Sequence, residues 1–223
     1  MSSGFARHGR QTDASADTPL VIVVDDDASL REALTELLAT VDIEVLAFAT
    51  TDDLLAAELP GRPGCILLDV RMPGSSGLDL QASLIARGIA TPIVFLTAYG
   101  DVPMSVQAMR AGALDFLLKP VRDQVLLDAV AKGIARDRAQ REEMRIVAAH
   151  IANLATLTPR ERQVFREVAD GRLNKQIAYD LGISDVTVKL HRGNVMRKMG
   201  ATTAAELIRI WERLPAAERE RGS

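Results

Sequence analysis

Five apolar runs of strand length recur between residues 20 and 118, and segments with helical spacing separate them. The runs are residues 20–24, 45–48, 65–68, 93–96 and 116–118. Leu30, Leu34 and Leu37 follow the spacing of one helix face, and so do Val106 and Met109. Strands that alternate with helices form parallel sheets, and strands that are apolar throughout are buried on both faces. The pattern therefore predicts an α/β doubly wound, five-stranded parallel sheet.

Polar side chains follow four of these runs. They are Asp25, Asp26, Asp27, Asp69, Thr97 and Lys119. Because parallel strands end at one edge of the sheet, where ligands bind, we expect these side chains to meet there. Neighbouring carboxylates repel unless a cation lies between them, and Mg²⁺ is commonly held by carboxylates together with phosphate and water. A lysine ammonium suits a phosphoryl oxygen. These residues predict a site that carries a phosphoryl group on an aspartate, whereas Asp27 is predicted to cap a helix or to be solvated.

Several stretches of the chain resemble a known family. "VVDDD", "LLDVRMPGSSG", "FLTAYGD" and "AGALDFLLKP" resemble the signature stretches of the response-regulator receiver domain, a flavodoxin-like fold, over residues 19–130. "YGDVPMSVQAMRAGA" further resembles the FixJ-like branch. The resemblance implies that Asp69 is the phospho-acceptor and that a sensor histidine kinase supplies the phosphoryl group. It also implies that the site residues themselves catalyse this transfer, so we do not predict a separate enzyme activity.

The same resemblance implies a magnesium site. Asp26 would be the direct Mg²⁺ ligand, beside Asp69 and the backbone carbonyl of Arg71, and Asp25 would bind the ion indirectly. Arg71 and Tyr99 also lie where long side chains could exclude the water that attacks an acyl phosphate in line. We therefore expect these two residues to prolong the lifetime of the phosphorylated form.

Three further residues take switching roles by this resemblance. Thr97 is the switch hydroxyl, Phe116 is the switch aromatic, and Lys119 is the lysine that precedes a cis-prone proline, Pro120. Phosphorylation would draw Thr97 toward the phosphoryl group, and Phe116 would follow into the vacated space. The face formed by the fourth helix, fifth strand and fifth helix would then favour a homodimer.

The middle of the chain is predicted to be a helical linker, residues 131–156, within one long helix of about residues 122–152. Residues 136–145, "RDRAQREEMR", are almost entirely polar, which is typical of a helix that bridges domains. Apolar spacing resumes at Met144, Val147 and Ile151. Pairing of this helix in a coiled coil stays an alternative.

Residues 157–214 contain the start and stop signals of four helices. Thr158, Pro159 and Glu161 form a capping box with proline at the first position. Asn174 is predicted to cap the second helix, which ends at Gly182. These signals predict a small all-α domain.

The second and third of these helices are joined only by "GIS", which is the spacing of a helix-turn-helix. Ser184 caps the third helix, and Thr203 with Glu206 begins the fourth. "LTPRERQV", "NKQIAYDLGIS" and "TVKLHRGNVMRKMGA" resemble the LuxR/NarL-type DNA-binding domain. The resemblance implies a four-helix domain that places its third helix in the major groove of double-stranded promoter DNA.

The third helix has two faces. Val188, Val195 and Met199 are predicted to be core, with His191 packed beside them or near a phosphate. By the resemblance, the residues that face bases are Lys189, Leu190 and Gly193. Those near phosphates are Thr187, Arg192, Arg197 and Lys198. Gly193 departs from relatives that carry a long side chain there, and it costs the helix roughly 1 kcal/mol relative to alanine.

Charge divides the chain into two parts. Residues 19–130 contain 16 acidic and 7 basic residues, whereas residues 157–213 contain 11 basic and 7 acidic residues. This asymmetry favours two domains with different partners. No apolar run approaches the roughly 18 residues of a membrane span, so no membrane partner is predicted. Cys65 is the only cysteine and is predicted to be a buried hydrophobe in a cytoplasmic protein. Residues 1–18 and 215–223 are predicted to be a disordered N-terminal tail and a C-terminal tail.

These observations predict a response regulator transcription factor, with RNA polymerase as a possible further partner. Two alternatives stay open. "DDDAS" is close to the haloacid-dehalogenase phosphatase motif, with Asp25 as the nucleophile, although that leaves Asp69 and the basic domain unexplained. The chain could also be a constitutive DNA-binding regulator whose receiver is independent of phosphorylation.

Overall fold

The structure, a computed structural model, describes residues 18–74, 76–98 and 100–220. The chain divides into two compact units between Arg141 and Glu142, a point within the predicted linker. The predicted N-terminal tail, apart from Thr18, lies outside the described residues, and so do the last three residues of the predicted C-terminal tail.

Five parallel strands form the sheet of the first unit. They are β1 (Leu20–Val24), β2 (Glu44–Phe48), β3 (Gly64–Leu68), β4 (Ile93–Thr97) and β5 (Asp115–Leu118). Their order in the sheet is β2-β1-β3-β4-β5. Each strand contains one of the predicted apolar runs and extends it by at most one residue. β1 and β3 pair from Leu20 with Gly64 to Val24 with Leu68, so both strands end at the same edge of the sheet.

Helices cover both faces of this sheet. They are α1 (Ala28–Ala39), α2 (Thr51–Ala56), α3 (Gly77–Ala86), α4 (Val102–Arg110) and α5 (Asp123–Ala155). Ile22 and Ile66 belong to the core on one face, whereas Val21 and Cys65 belong to the core on the other. Neighbouring strand residues point to opposite faces, so strands that are apolar throughout supply both cores. The predicted doubly wound sheet is confirmed.

α4 packs differently from its predicted pattern. Val106 and Met109 are 42% and 46% exposed, and Val102 is 76% exposed. Ala108 is the α4 residue that is buried, and Gln81 from α3 donates to its carbonyl oxygen from Nε2 at 3.3 Å. This short helix packs on the first core through Ala108 and the partly buried Met104, whereas Val102, Val106 and Met109 stay at the surface.

The long helix is confirmed as α5, which has 33 residues. One acidic residue of its polar stretch, Asp137, is only 3% exposed. Its Oδ2 accepts hydrogen bonds from the Gly64 backbone N–H at 2.9 Å and from Arg141 Nε at 2.7 Å. The polar stretch therefore contains one side chain that fastens the helix to the start of β3.

The second unit is helical. After the last part of α5 it contains α6 (Pro159–Ala169), α7 (Asn174–Leu181), α8 (Asp185–Met199), α9 (Ala204–Arg213) and α10 (Ala216–Glu220). Its core contains the predicted residues Val188, Val195 and Met199. The rings of Phe165 and Trp211 pack edge to face, with centroids 4.9 Å apart. α10 lies in the part of the chain predicted to be a C-terminal tail. None of the helices in the described residues is long and apolar enough to cross a membrane.

Most predicted helix signals of this unit are confirmed. Thr158 and Glu161 form a capping box at α6, Ser184 caps α8, and Thr203 forms a second box with Glu206 at α9.

The prediction for Asn174 is wrong, because Asn174 is the first residue of α7 and the cap position belongs to Leu173. The Gln176 side chain accepts the Leu173 N–H at 2.8 Å. This leaves the Asn174 carbonyl Oδ1 to accept from Arg192 Nη1 at 2.9 Å.

Candidate functional site

The carboxyl edge of the sheet positions two buried aspartates. Asp25 follows β1 and Asp69 follows β3, and they are 2% and 8% exposed. The Asp69 backbone N–H donates to the Val24 carbonyl oxygen at 2.9 Å, which continues the pairing of the two strands past their ends. Gly77, which begins α3, lies so close that a Cβ there would be 2.2 Å from the Asp69 carbonyl oxygen. The backbone on both sides therefore fixes the position of Asp69.

Lys119 joins the two carboxylates. Its Nζ donates to Asp25 Oδ2 at 2.6 Å and to Asp69 Oδ2 at 2.9 Å. The backbone N–H of Lys119 donates to the Thr97 carbonyl oxygen at 2.9 Å, and the peptide bond from Lys119 to Pro120 is cis. The ends of β4 and β5 thus bring the ammonium group to the aspartates.

Burial and charge oppose each other in this cluster. Burial raises the pKa of Asp25, and the hydrogen bond from Lys119 only partly offsets that effect. Burial alone would lower the pKa of Lys119, but the hydrogen bonds to Asp25 and Asp69 outweigh it and raise that pKa. The lysine is therefore held in its charged form between the two carboxyl groups.

The same edge offers ligands for a hard cation. Carboxylate oxygens of Asp25, Asp26 and Asp69 lie within 4.8 Å of one another, and Asp26 is exposed to solvent. Oxygen ligands in this number suit Mg²⁺, which keeps several waters when it binds. Asp69 Oδ1 also accepts the backbone N–H of Arg71 at 3.2 Å, so the backbone of Arg71 passes beside the acceptor. The donor set fits the implied ion.

The remaining predicted residues of the first unit occupy the neighbouring strands. Thr97 ends β4 and is fully buried. Phe116 on β5 is half-buried, and its ring centroid lies 6.0 Å from that of Phe95. Arg71 is exposed, whereas Tyr99 lies outside the described residues.

Two interactions near the site concern the residues that follow β1. Asp27 caps α1, as predicted, because its side chain accepts the N–H groups of Ser29 and Leu30. Arg31 was not predicted: its Nη1 donates to the Asp25 carbonyl oxygen at 2.5 Å. Arg31 lies near the start of α1, six residues after Asp25. This short separation is the sequence signal that could have indicated its hydrogen bond to the Asp25 carbonyl oxygen.

α8 presents the predicted base-facing residues to solvent. Lys189 and Gly193 are exposed, and Leu190 is 64% exposed. Lys189 Nζ lies 2.8 Å from Asp185 Oδ2, one turn earlier. An exposed leucine among basic side chains, opposite a buried face of the same helix, is typical of a recognition helix that meets base edges.

Two of the predicted phosphate-contacting residues make contacts within the unit. Lys198 Nζ donates to Glu161 Oε2 at 2.7 Å, and Glu161 is 4% exposed. The hydrogen bonds from Lys198 and from the Thr158 backbone lower the pKa of Glu161. Arg192 is half-buried and donates to Asn174.

Thr187 also makes a local contact, because its hydroxyl lies 2.8 Å from the Ser184 hydroxyl. Of the four predicted phosphate contacts, Arg197 is the exposed one, and its Nη2 donates to Asn194 Oδ1 at 3.3 Å.

Known proteins match both units. The family model of the response regulator receiver domain matches residues 21–131, and that of the bacterial regulatory proteins of the luxR family matches residues 155–211. Nodulation protein W of Bradyrhizobium diazoefficiens is 48% identical over 92% of this chain and 90% of its own length. The transcriptional regulatory protein FixJ of Azorhizobium caulinodans is 43% identical over 85% of this chain and 90% of its own length.

Solved structures agree with these matches. The structure of the response regulator StyR has a TM-score of 0.74 and 45% sequence identity, and the match covers 88% of this chain and 99% of StyR. Full-length FixJ from B. japonicum has a TM-score of 0.52 and 35% identity, and the match covers 88% of this chain and 97% of FixJ.

Proposed function

Because the chain belongs to the response regulators that join a receiver domain to a LuxR-type DNA-binding domain, we propose that a histidine kinase phosphorylates it on Asp69. The phosphorylated form then binds promoter DNA as a homodimer and regulates transcription in the cytoplasm. Members of this family are transcription factors rather than enzymes that act on a separate substrate. Contact with RNA polymerase is a further part of this proposal.

One observation carries a phosphoryl-accepting site at this edge: Lys119 Nζ lies 2.9 Å from Asp69 Oδ2 and 2.6 Å from Asp25 Oδ2. The choice of Asp69 between the two carboxylates follows from the resemblance of "LLDVRMPGSSG" to the receiver family. In the transfer, an Asp69 oxygen attacks the phosphorus of a phosphohistidine. The new P–O bond forms as the P–N bond breaks, and the electron pair leaves with the imidazole nitrogen, which takes a proton. The Lys119 ammonium is already in place to pair with a phosphoryl oxygen.

Asp26, Asp69 and the backbone carbonyl of Arg71 would hold Mg²⁺ directly, and Asp25 would hold it indirectly. The bound ion neutralises charge that builds up on the phosphoryl oxygens. Thr97 takes up a second phosphoryl oxygen through its hydroxyl, and Phe116 follows Thr97. These steps convert a local change of charge into a shift between two conformations of the receiver, which requires a bias of only a few kcal/mol.

The exposed apolar side chains of α4, β5 and α5 support the homodimer. Their exposures are 76% for Val102, 42% for Val106, 46% for Met109, 55% for Leu118 and 42% for Val125. A cluster of exposed apolar side chains is typical of a protein interface. The face that is proposed to bind a second copy after phosphorylation is therefore already apolar in the unphosphorylated receiver.

The exposed face of α8 supports DNA binding. Lys189 and Leu190 read base edges, Gly193 faces the bases without a side chain, and Arg197 binds phosphate. Thr187, Arg192 and Lys198 lie near the phosphates as well, and the contacts that Arg192 and Lys198 make within the unit fix their positions for that role. Two copies of the domain meet two half-sites about one helical turn apart.

The test of Asp69 is the Asp69→Asn variant, treated with acetyl phosphate and Mg²⁺ and examined by intact-protein mass spectrometry. The wild type should gain one phosphoryl group and the variant none, because an amide is no nucleophile for this transfer. Asp128→Asn is the matched control, since Asp128 is exposed on α5 and should leave uptake unchanged. A phosphoryl group found on Asp25 in Asp69→Asn would instead support the phosphatase-like alternative.

The second test separates the proposal from a constitutive regulator. Binding sites selected from genomic DNA are titrated with the wild type and with Lys119→Ala, each with and without phosphodonor. The wild type should bind more tightly after phosphorylation, and Lys119→Ala should show no such gain. Equal affinity of the wild type in both conditions would favour the receiver that is independent of phosphorylation.

A further inference from the structure

A cavity opens at the edge of the sheet opposite Asp69, where β1 and β3 begin. Its volume is about 320 Å³, which lies in the range of small-molecule sites. Leu20, Ile22, Leu54 and Leu84 form an apolar floor, and each of these side chains is at most 5% exposed. All lining residues belong to the first unit. The cavity is therefore separate from the phosphoryl-accepting site, and its interior suits a hydrocarbon group.

Three arginines, Arg62, Arg87 and Arg141, line the same cavity. Arg62 and Arg87 are two of only 7 basic residues in residues 19–130, which contain 16 acidic residues, and Arg141 comes from α5. Arg62 Nη1 pairs with Glu44 at 2.7 Å, and Arg141 Nε pairs with Asp137 at 2.7 Å. Within the described ranges of the chain, no carboxylate lies at ion-pair distance from Arg87. The cavity therefore has one positive charge more than its acidic neighbours balance.

The positions of two of these guanidinium groups are fixed by the backbone around the cavity. Arg87 Nη1 donates to the Leu55 carbonyl oxygen at 3.0 Å, which leaves its other N–H groups available. Arg141 Nη1 donates to the Gly61 carbonyl oxygen at 3.1 Å, and buried Asp137 holds its Nε. Such preorganised guanidinium groups recognise a carboxylate through parallel N–H···O bonds, and little side-chain freedom remains to be lost on binding.

We propose that this cavity binds a small amphipathic monoanion, a carboxylate on a short hydrocarbon body. The hydrocarbon occupies the floor formed by Leu20, Ile22, Leu54 and Leu84, and the carboxylate pairs with Arg87. A neutral ligand does not neutralise the excess positive charge of Arg87. A dianion brings a second negative charge for which the cavity has no unpaired cation. The inference does not depend on phosphorylation or on DNA binding.

The test compares octanoate with octanamide, which has the same chain length and no charge, by calorimetric titration of the full chain. Octanoate should bind one per chain, and octanamide about tenfold more weakly, as expected for the loss of one charged hydrogen-bonded pair. Arg87→Gln should weaken octanoate binding by a similar factor of about ten and leave octanamide unchanged. Arg110→Gln makes the same change of charge on an exposed residue at the end of α4, away from the cavity, and should change neither affinity.

A second variant tests the location. Ala57 lines the cavity, so Ala57→Phe should fill it and abolish binding of both probes, while circular dichroism and thermal unfolding report that the first unit is folded. The proposal is overturned if octanoate does not bind to the wild type, or if octanoate and octanamide bind equally well. It is also overturned if Arg87→Gln binds octanoate as the wild type does. Because Arg87 is exposed, weaker octanoate binding by Arg87→Gln cannot be attributed to loss of the fold.

Discussion

Gly133 on α5 lies where the helix packs closely against β3. A Cβ at this position would be 2.7 Å from Cys65 Cβ and 3.1 Å from Cys65 Sγ. Both residues are buried. Carbon atoms in ordinary contact are about 3.5–4.0 Å apart, so Gly133→Ala forces the helix and the strand to separate by roughly 1 Å.

Two effects of opposite sign decide the result. Alanine is better than glycine inside a helix by about 1 kcal/mol. Overpacking of a filled core costs about 1–3 kcal/mol, and here the upper part of that range applies, because both clashing Cβ atoms are bonded directly to the backbone and cannot rotate away. We therefore expect Gly133→Ala to lower the free energy of opening of this region by about 1–2 kcal/mol.

Gly193 on α8 provides the matched control. It is also a helical glycine, but it is exposed, and a Cβ there would meet nothing within 4 Å. Only the helix preference acts, so Gly193→Ala should stabilise its helix by about 1 kcal/mol. The same chemical change thus has opposite effects at the two positions.

Hydrogen exchange of the full chain, followed by mass spectrometry, measures both regions in one experiment. Peptides from residues 123–141 should exchange about five- to thirtyfold faster in Gly133→Ala. Peptides from residues 185–199 should exchange about fivefold more slowly in Gly193→Ala. Slower exchange in Gly133→Ala would refute the close approach of α5 to β3.

Four other substitutions test the two units. Glu161→Gln should destabilise the DNA-binding unit most at neutral pH. The lowered pKa of Glu161 gives stability that is present above its ordinary value of 4.5 and is lost as the pH falls through the folded value, so urea unfolding curves of wild type and variant should converge in acid. Lys189→Ala should weaken binding to selected sites by about 1–3 kcal/mol, whereas Arg197→Ala should weaken binding to all DNA alike and reduce the salt slope by about one, as fluorescence titrations would show. Equal effects of both changes on selected and random DNA would contradict this division. Arg71→Ala should shorten the life of phosphorylated Asp69 at fixed Mg²⁺, and an unchanged rate of dephosphorylation would remove the shielding role.

The sequence predicted the sheet and the meeting of its polar strand ends for a simple reason. An apolar run flanked by helices has few ways to pack, and parallel strands end at a common edge. Asp25, Asp69 and Lys119 therefore meet although 94 residues separate the first from the last. Their roles in phosphoryl transfer stay a prediction, since geometry shows proximity and not reaction.

What the sequence could not predict depends on competition between partners. Asn174 was predicted to be the cap of α7, but the Gln176 side chain accepts the hydrogen bond of the Leu173 N–H instead. The sequence does not show which of the two side chains accepts such a bond. Lys198 pairs with Glu161, 37 residues away in the chain, and the spacing of α8 alone does not indicate that partner. The exposure of Val106 and Met109 depends on how α4 rests on the sheet, which periodicity alone does not specify.

The thiol of Cys65 can report when the fold opens between β3 and α5. It is the only cysteine, it is fully buried, and burial raises the pKa of its thiol to about 12. Alkylating reagents react with the thiolate, so at neutral pH the closed fold resists them both by excluding the reagent and by retaining the proton. Each alkylated molecule has therefore opened at least once between β3 and α5. The extent of alkylation measures this opening without an introduced label or a second thiol.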